Sequence, residues 1–408
     1  DYTHSFTLMM SSDVGRVITV TALASGLVTT AVTIFALRCL GYRKNSALPE
    51  RKNGIADLIG NTPMVKVRSL SKLTGADIYA KLEMANPGGS AKDRTALAII
   101  RQFEADGKLV PGRGDVVFEG TSGSTGISFA MLCNSLGYTA HICVQSDTSP
   151  EKIALLRSYG ADVEKVKPAS IVDPEQYVNA ARSGAEKLTS DTTTESRGVF
   201  ADQFENDVNW RIHYETTGPE IWEQMHHKLD YFISGSGTGG TISGIARYLK
   251  SQNSGLNVVL ADPQGSGMYN RVKHGVMYDP VEKEGTRRRH QVDTIVEGIG
   301  LNRVTHNFLE GEDFIDDSER VTDEQAIKMA RFLNSNDGLF VGASSAINAV
   351  VAARVALKAR NGAQIVIIGC DSGARHLSKF WKKALEIPRD VSLENIIDDS
   401  ELSSHIIH

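Results

Sequence analysis

Lys92 stands between a turn-forming run, Asn86, Pro87, Gly88, Gly89 and Ser90, and an apolar run that reads as a helix, within "KLEMANPGGSAKDRTALAII" (81–100). A cation at a helix start opposes the helix dipole, which favours anions there. Such a lysine is either a solvated misfit or an amine that sheds its proton readily and serves as a nucleophile. A second stretch, "ISGSGTGGTISG" (233–244), ends a strand in Gly235, Gly237, Gly239 and Gly240, and a helix opens near Thr241. Glycines there let backbone amides close on a ligand, and the helix start favours an anion, so the loop suits phosphate. It lacks the lysine of a Walker loop and departs from the dinucleotide fingerprint. A third stretch, "EGTSGSTG" (119–126), repeats the plan, with Thr121, Ser122, Gly123, Ser124 and Thr125 leading into a helix. It reads as an anion loop or as a capped turn with no ligand. An amine poised for imine chemistry, a phosphate cradle and a hydroxyl-rich anion loop are together the parts of a pyridoxal phosphate enzyme acting on an amino acid.

These residues need a scaffold, and the chain beyond about residue 46 supplies alternating strands and helices. "DIYAKLE" (77–83), "DVVFEG" (115–120), "TAHICVQ" (139–145), "DYFISGS" (230–236), "LNVVLADP" (256–263) and "GAQIVIIGC" (362–370) read as strands. Helical patterns cover 94–107, 124–137, 149–161 and 240–252, the third opening on Ser149 and Pro150, a good cap and first position. Strands alternating with helices predict parallel sheets covered on both faces. The last stretch, 386 to 408, is polar and acidic and is expected to be a loosely held tail.

The 408 residues suffice for two or three domains. A hydrophobic content of 41% and a charged content of 23% are those of a globular protein, and a net charge of −5 gives no reason to expect nucleic acid. Cys39, Cys133, Cys143 and Cys370 lie far apart, without metal-like spacing, which favours a reducing compartment; His226 and His227 lack a second ligand pair, so no metal is expected. One segment breaks the globular pattern. Val17 to Leu37 carries no charge, close to the ~20 residues that cross a bilayer as a helix. Arg38, Arg43, Lys44, Arg51 and Lys52 follow it, which places the rest of the chain in the cytosol. Residues 1–45 are therefore expected to form a membrane anchor with a helix at about 17–38. Its threonines make it only moderately hydrophobic, as suits the mitochondrial outer membrane, with the endoplasmic reticulum as the alternative; a cleaved signal or transit peptide and a buried helix of the globular part are the rival readings of the run. The chain opens on Asp1, which leaves room for residues upstream.

The stretches "IGNTPMVKV" (59–67), "NPGGSAKDR" (86–94), "TSGSTG" (121–126), "TTGPEIW" (216–222), "SGSGTGGT" (234–241) and "DSGARHLSKF" (371–380) resemble, in the same order, the cysteine synthase and cystathionine β-synthase family of pyridoxal phosphate enzymes. The resemblance implies a two-domain α/β parallel-sheet fold of the tryptophan synthase β-like type. Residues 46–78 and 205–385 would form the larger, cofactor-binding domain, and 79–204 a smaller mobile one. It implies that Lys92 holds the cofactor covalently and that Gly237, Thr238, Gly239, Gly240 and Thr241 bind its phosphate. Thr121, Ser122, Gly123, Ser124 and Thr125 would receive the substrate carboxylate, with Gln203 helping to grip it, and Ser124 would also touch the cofactor. Ser372 would hydrogen-bond the pyridine nitrogen, although it could instead cap the turn ahead of "ARHLSKF", and Asp371 is a rival partner. Gln203 could also be a surface residue.

On this resemblance the chain forms L-cysteine from O-acetylserine, or a similar β-substituted serine, and sulfide or another thiol. The alternatives are a cysteine desulfhydrase releasing hydrogen sulfide, pyruvate and ammonia, and a membrane-tethered cofactor-binding regulator with little turnover. Family members are commonly homodimers. Most cysteine synthases carry asparagine where this chain has Ser124, and a serine offers one hydroxyl where asparagine offers two donor hydrogens and an acceptor.

Overall fold

The computed structural model describes residues 51–121, 123–146, 148–169, 171–278 and 294–397. Gly54–His408 forms a compact unit of its own. The expected anchor, at 17–38, lies outside the described residues, among which no helix is long and apolar enough to cross a membrane.

Ten strands are described: β1 (Met64–Lys66), β2 (Asp77–Leu82), β3 (Val116–Gly120), β4 (Thr139–Gln145), β5 (Asp162–Val166), β6 (Gly198–Phe200), β7 (Tyr231–Ser234), β8 (Asn257–Pro263), β9 (Asp317–Val321) and β10 (Gln364–Gly369). They form a six-stranded sheet ordered β1-β2-β10-β7-β8-β9 and a four-stranded sheet ordered β5-β4-β3-β6. Pairing is parallel throughout except for β1 against β2. The expected domain boundary after residue 78 would cut β2, which lies wholly in the six-stranded sheet.

Strand period 2 explains the layers. On β10, Ile365 and Ile367 enter one core, which holds the Ala-rich helix Ala343–Lys358. Val366 and Ile368 enter the other core, with Ile242, Ile245 and Leu249 of helix Gly240–Gln252. In the smaller sheet Val117, Ala140, Ile142 and Val144 face helices Lys92–Ala105 and Ser124–Leu136, while Phe118 and Cys143 face Ala181 and Ala185 of helix Tyr177–Ser190. A slip of one residue in any of these strands would turn its apolar set out of the core. The stretch from 386 to 397, expected to be part of a loose tail, is instead held to the fold, and the rest of that expected tail lies outside the described residues. Leu393 and Ile396 are buried in the larger core, because two apolar side chains in an otherwise polar stretch suffice to dock a short helical turn, Glu394–Ile397.

Candidate active site

The three stretches that could do chemistry follow β2, β7 and β3, at the C-terminal ends of strands, where ligands of parallel sheets bind. They wall one cavity of about 810 Å³.

Lys92 is the first residue of helix Lys92–Ala105. The turn before it closes with Gly89 N donating to Asn86 O at 2.7 Å, and Asn86 Oδ1 accepts from Gly60 N at 2.9 Å. Ala91 N donates to Cys370 O at 3.3 Å, which pins the turn to the end of β10. No side chain caps this helix at Ala91; the buried Asp93 reaches back instead, accepting from Gly88 N and Ser128 Oγ, each at 2.5 Å. The Lys92 amine reaches Thr238 Oγ1 at 3.4 Å. Burial lowers its pKa from the ordinary lysine value, against a weaker opposing pull from Cys370 and Glu119.

The second loop turns at Gly239, whose φ of +92° belongs to the left-handed region that glycine adopts freely. A Cβ on Gly237 would lie 2.2 Å from Gly298 O, and one on Gly239 2.5 Å from Phe308 N, so backbone encloses this loop on the outside and leaves its amides facing the cavity. Thr238 Oγ1 accepts from Asn209 Nδ2 at 2.8 Å, and Thr305 Oγ1 donates to Thr238 O at 2.8 Å. Gly237, Thr238, Gly239 and Thr241 line the cavity. Gly240 does not; it packs against Asn209, whose Oδ1 would be 2.2 Å from a Cβ there. Behind Thr241 stands His213, with Nε2 at 3.2 Å from its hydroxyl and Nδ1 at 2.9 Å from Thr217 Oγ1. Burial, helped by the Arg94 and Lys92 charges, keeps this imidazole well below its ordinary pKa and therefore neutral.

In the third loop Thr121, Gly123, Ser124 and Thr125 line the cavity, and Ser122 lies outside the described residues. Ser124 starts helix Ser124–Leu136, so the loop faces the cavity with a helix N-terminus. Ser124 Oγ donates to Asp371 Oδ2 at 3.4 Å, and Thr125 Oγ1 to Gln203 Oε1 at 2.6 Å. Gln203 is buried in the cavity wall, and its Nε2 donates to Glu119 Oε1 at 2.9 Å.

Ser372 stands elsewhere. Its hydroxyl accepts from Ala374 N at 3.3 Å and caps a short turn, and it is not among the residues lining the cavity. Its neighbour Asp371 does line it, held by His376 Nε2 at 2.9 Å. The neutral groups near the end of β10 that do reach the cavity are Ser344 and Cys370. Ser344 was legible in principle: "FVGASSAIN" (340–348) is a further turn from an apolar run through glycine and hydroxyls into a helix. Glu119 and His213 had no such signal, since tertiary contacts alone give them partners.

Residues 55–371 match the family model described as pyridoxal-phosphate dependent enzyme. The chain belongs to the family of pyridoxal-phosphate dependent enzymes. A Saccharomyces cerevisiae protein provisionally named a mitochondrial cysteine synthase is 64% identical over 87% of this chain and 90% of its own. Cysteine synthase 2 of Schizosaccharomyces pombe is 54% identical over 88% of this chain and 93% of its own. Among solved structures, O-ureido-L-serine synthase superposes with a TM-score of 0.71 at 29% identity, covering 87% of this chain and all of that one, 100%.

Pyridoxal phosphate fits the residues present. The enclosed Gly237–Gly239 backbone at the start of a helix offers amides to a phosphate dianion, with the Thr238 and Thr241 hydroxyls beside them. The Lys92 amine, easily deprotonated, opens into the same cavity. Pyridoxal phosphate bound there supplies an electron sink that acidifies the substrate Cα–H and lets a β-substituent depart.

Proposed function

We propose that this enzyme forms L-cysteine from O-acetylserine, or a similar β-substituted serine, and sulfide. The observation that carries the reading is one cavity shared by a half-buried lysine of lowered pKa, a glycine cradle and a hydroxyl-lined helix start on the smaller sheet. Lys92 would hold the cofactor through its amine and, when that amine is free, would take the proton from the substrate Cα as general base. The Thr121–Thr125 loop receives the substrate carboxylate through its amides, its hydroxyls and the helix dipole. Ser344 takes the place at the ring nitrogen that the resemblance gave to Ser372, because Ser344 lines the cavity. A neutral hydroxyl there does not hold the ring protonated, which suits replacement at Cβ better than transamination. The smaller lobe closes over the carboxylate and excludes water. The enzyme works as a homodimer. The test is direct: with bound pyridoxal phosphate, O-acetylserine and sulfide yield cysteine. A protein that binds the cofactor and turns over no β-substituted serine would instead be a regulator.

Ser124 supports a second reading, cysteine breakdown to sulfide, pyruvate and ammonia, because its only hydroxyl proton is directed at Asp371. A hydrogen-sulfide-producing enzyme from Fusobacterium nucleatum superposes with a TM-score of 0.66 at 30% identity over 80% of this chain. Restoring a longer amide by Ser124→Asn is expected to raise the ratio of synthesis to desulfhydration roughly 2- to 10-fold, the worth of one hydrogen bond. An unchanged ratio with both activities robust removes Ser124 from substrate choice.

The uncharged run 17–37 anchors the enzyme in the mitochondrial outer membrane with its catalytic part in the cytosol, a placement supported by its length and basic flank. Carbonate should then fail to extract it from organelles, and external protease should digest the catalytic part. Extraction, or full protection, contradicts the anchor or its orientation.

A further inference from the structure

Glu119, the penultimate residue of β3, is fully buried. Among the described residues no ion pair reaches it. Its surroundings are the Lys92 amine, Asp202 on the loop after β6, the Cys143 thiol on β4 and the Tyr177 phenol of helix Tyr177–Ser190. The charges of Arg182 and Arg303 act on Asp202, and that of Arg303 also on Tyr177. Asp202 has a φ of +51°, a left-handed conformation that costs about 1 kcal/mol or more and sets the direction of Gln203. Backbone N of Gln203 donates to Glu119 Oε2 at 3.4 Å and its side chain to Oε1 at 2.9 Å.

The hydrogens in this chain of bonds can be counted. Thr125 has one hydroxyl proton. With Gln203 Oε1 at 2.6 Å, that proton is given to the amide, and Thr125 shows only lone pairs to a substrate carboxylate. An amide turned by 180° about its last torsion exchanges its oxygen and nitrogen at nearly the same positions. Gln203 Nε2 then donates to Thr125, whose proton is free for the carboxylate, while Gln203 Oε1 meets Glu119 Oε1. Two bare oxygens repel, so this arrangement requires a proton on Glu119 Oε1; Oε2 continues to accept from Gln203 N.

We propose that Glu119 acts as a neutral carboxylic acid that donates to Gln203 and so holds the amide in the orientation that frees the Thr125 hydroxyl for the substrate carboxylate. Glu119 is a positioning residue, and the inference rests on the carboxylate docking in the Thr121–Thr125 loop. Burial, joined by the Asp202 charge and opposed by the bonds from Gln203, pushes the Glu119 carboxyl up to about 8. The acid form therefore prevails at neutral pH and is lost as pH rises through that value. Neither the Cys143 thiol, pushed up to about 12 by burial, nor the Tyr177 phenol, also raised by burial, ionises in that range.

The test uses the holoenzyme with O-acetylserine and sulfide from about pH 6.5 to about pH 9.5. In the native enzyme KM rises above about pH 8 relative to Glu119→Gln, because a glutamine at 119 donates from its amide at every pH. Glu119→Met has no donor, and its KM is about 10- to 100-fold higher at neutral pH with a smaller change in kcat. Infrared difference spectra of native enzyme against Glu119→Gln contain the carbonyl stretch of a protonated carboxyl at neutral pH, and it fades as pH rises. Superimposed KM profiles for native enzyme and Glu119→Gln, or no carboxyl band at neutral pH, overturn the proposal; these stand even where Glu119→Met fails to fold. Turnover with superimposed profiles removes Glu119 alone. A lack of turnover with any β-substituted serine removes the reaction, and the infrared band still decides the proton on Glu119.

Discussion

Lys92→Ala is expected to lower cysteine formation by roughly 10⁴-fold or more, since on the proposed reading one amine both holds the cofactor and moves the Cα proton. The enclosed glycine loop and the Thr238 hydroxyl remain, so the variant still binds pyridoxal phosphate, but weakly and without a covalent bond; the visible band of the bound cofactor should shift to that of the free aldehyde. Small primary amines added to the variant should restore part of the rate. The chain contains a natural control. Lys81 is fully buried, where Lys92 is half-buried, and burial lowers the pKa of both. It donates to Thr62 O at 2.7 Å, Glu220 Oε2 at 2.6 Å and Gln224 Oε1 at 2.9 Å, so its three ammonium hydrogens are all in use. Among the described residues the Lys92 amine has one long hydrogen bond, to Thr238, and it opens on the cavity. Borohydride reduction of native enzyme followed by peptide mapping should label Lys92. A label on Lys81, or full activity in Lys92→Ala, would sink the assignment.

The contrast between these lysines also marks what a sequence carries. Lys92 was legible because the turn before it and the helix after it have strong local signals, glycine and proline on one side and apolar period on the other. The phosphate loop was legible for a similar reason: only glycines satisfy the left-handed turn at Gly239 and the backbone approach at Gly237. Strand Thr139–Gln145 and helix Gly240–Gln252 keep the bounds their patterns indicate. The sheet edges were not legible. β5 reads "DVEKV" and β9 "DSERV", with polar or charged side chains at three and four positions respectively, as edge strands carry to discourage pairing with other chains. Helix Ala343–Lys358 escaped for the opposite reason. Its side chains are buried all round from Ala343 to Ala356, so it lacks the polar face that betrays a surface helix. Ser372 and Ser344 show the same limit at the site. Both follow a strand or extended run and precede a helical turn, and only the packing of the six-stranded sheet decides which hydroxyl reaches the cavity.

Arg94→Met is expected to destabilise the fold by roughly 3–5 kcal/mol, the cost of leaving a buried charge without its partner. Arg94 is buried two residues after Lys92, and its guanidinium joins two carboxylates. Nε and Nη2 bond Glu83 Oε2 and Oε1 at 2.8 and 2.9 Å, while Nη1 and Nη2 bond Glu220 Oε1 and Oε2 at 2.6 and 2.7 Å. Lys81 supplies the second cation, so the cluster is balanced, two positive against two negative. In the variant Glu220 retains Lys81, whereas the buried Glu83 retains only the neutral donors Thr62 and Asn86. The double variant Arg94→Met, Glu83→Gln should therefore recover much of the loss, because it removes the orphaned charge. The acid limb of stability gives a second reading. Burial alone would raise the Glu220 carboxyl, yet Arg94 and Lys81 hold it down at about 2. A folded value below the ordinary 4.5 means that the contribution is present above about pH 4.5 and is lost as pH falls through about 2. Without Arg94 that window narrows, and unfolding midpoints in denaturant should fall less between neutral and acid pH than in the native enzyme. The cluster also bonds the Asn86 side chain through Glu83, and Asn86 closes the turn that aims Lys92, so covalent cofactor attachment should weaken in Arg94→Met and return in the double variant. A loss below about 1 kcal/mol would mean that the cluster behaves as a solvated surface pair, and Lys92 would then owe its position to the bonds of Asp93 with Gly88 and Ser128 and to the bond between Ala91 and Cys370.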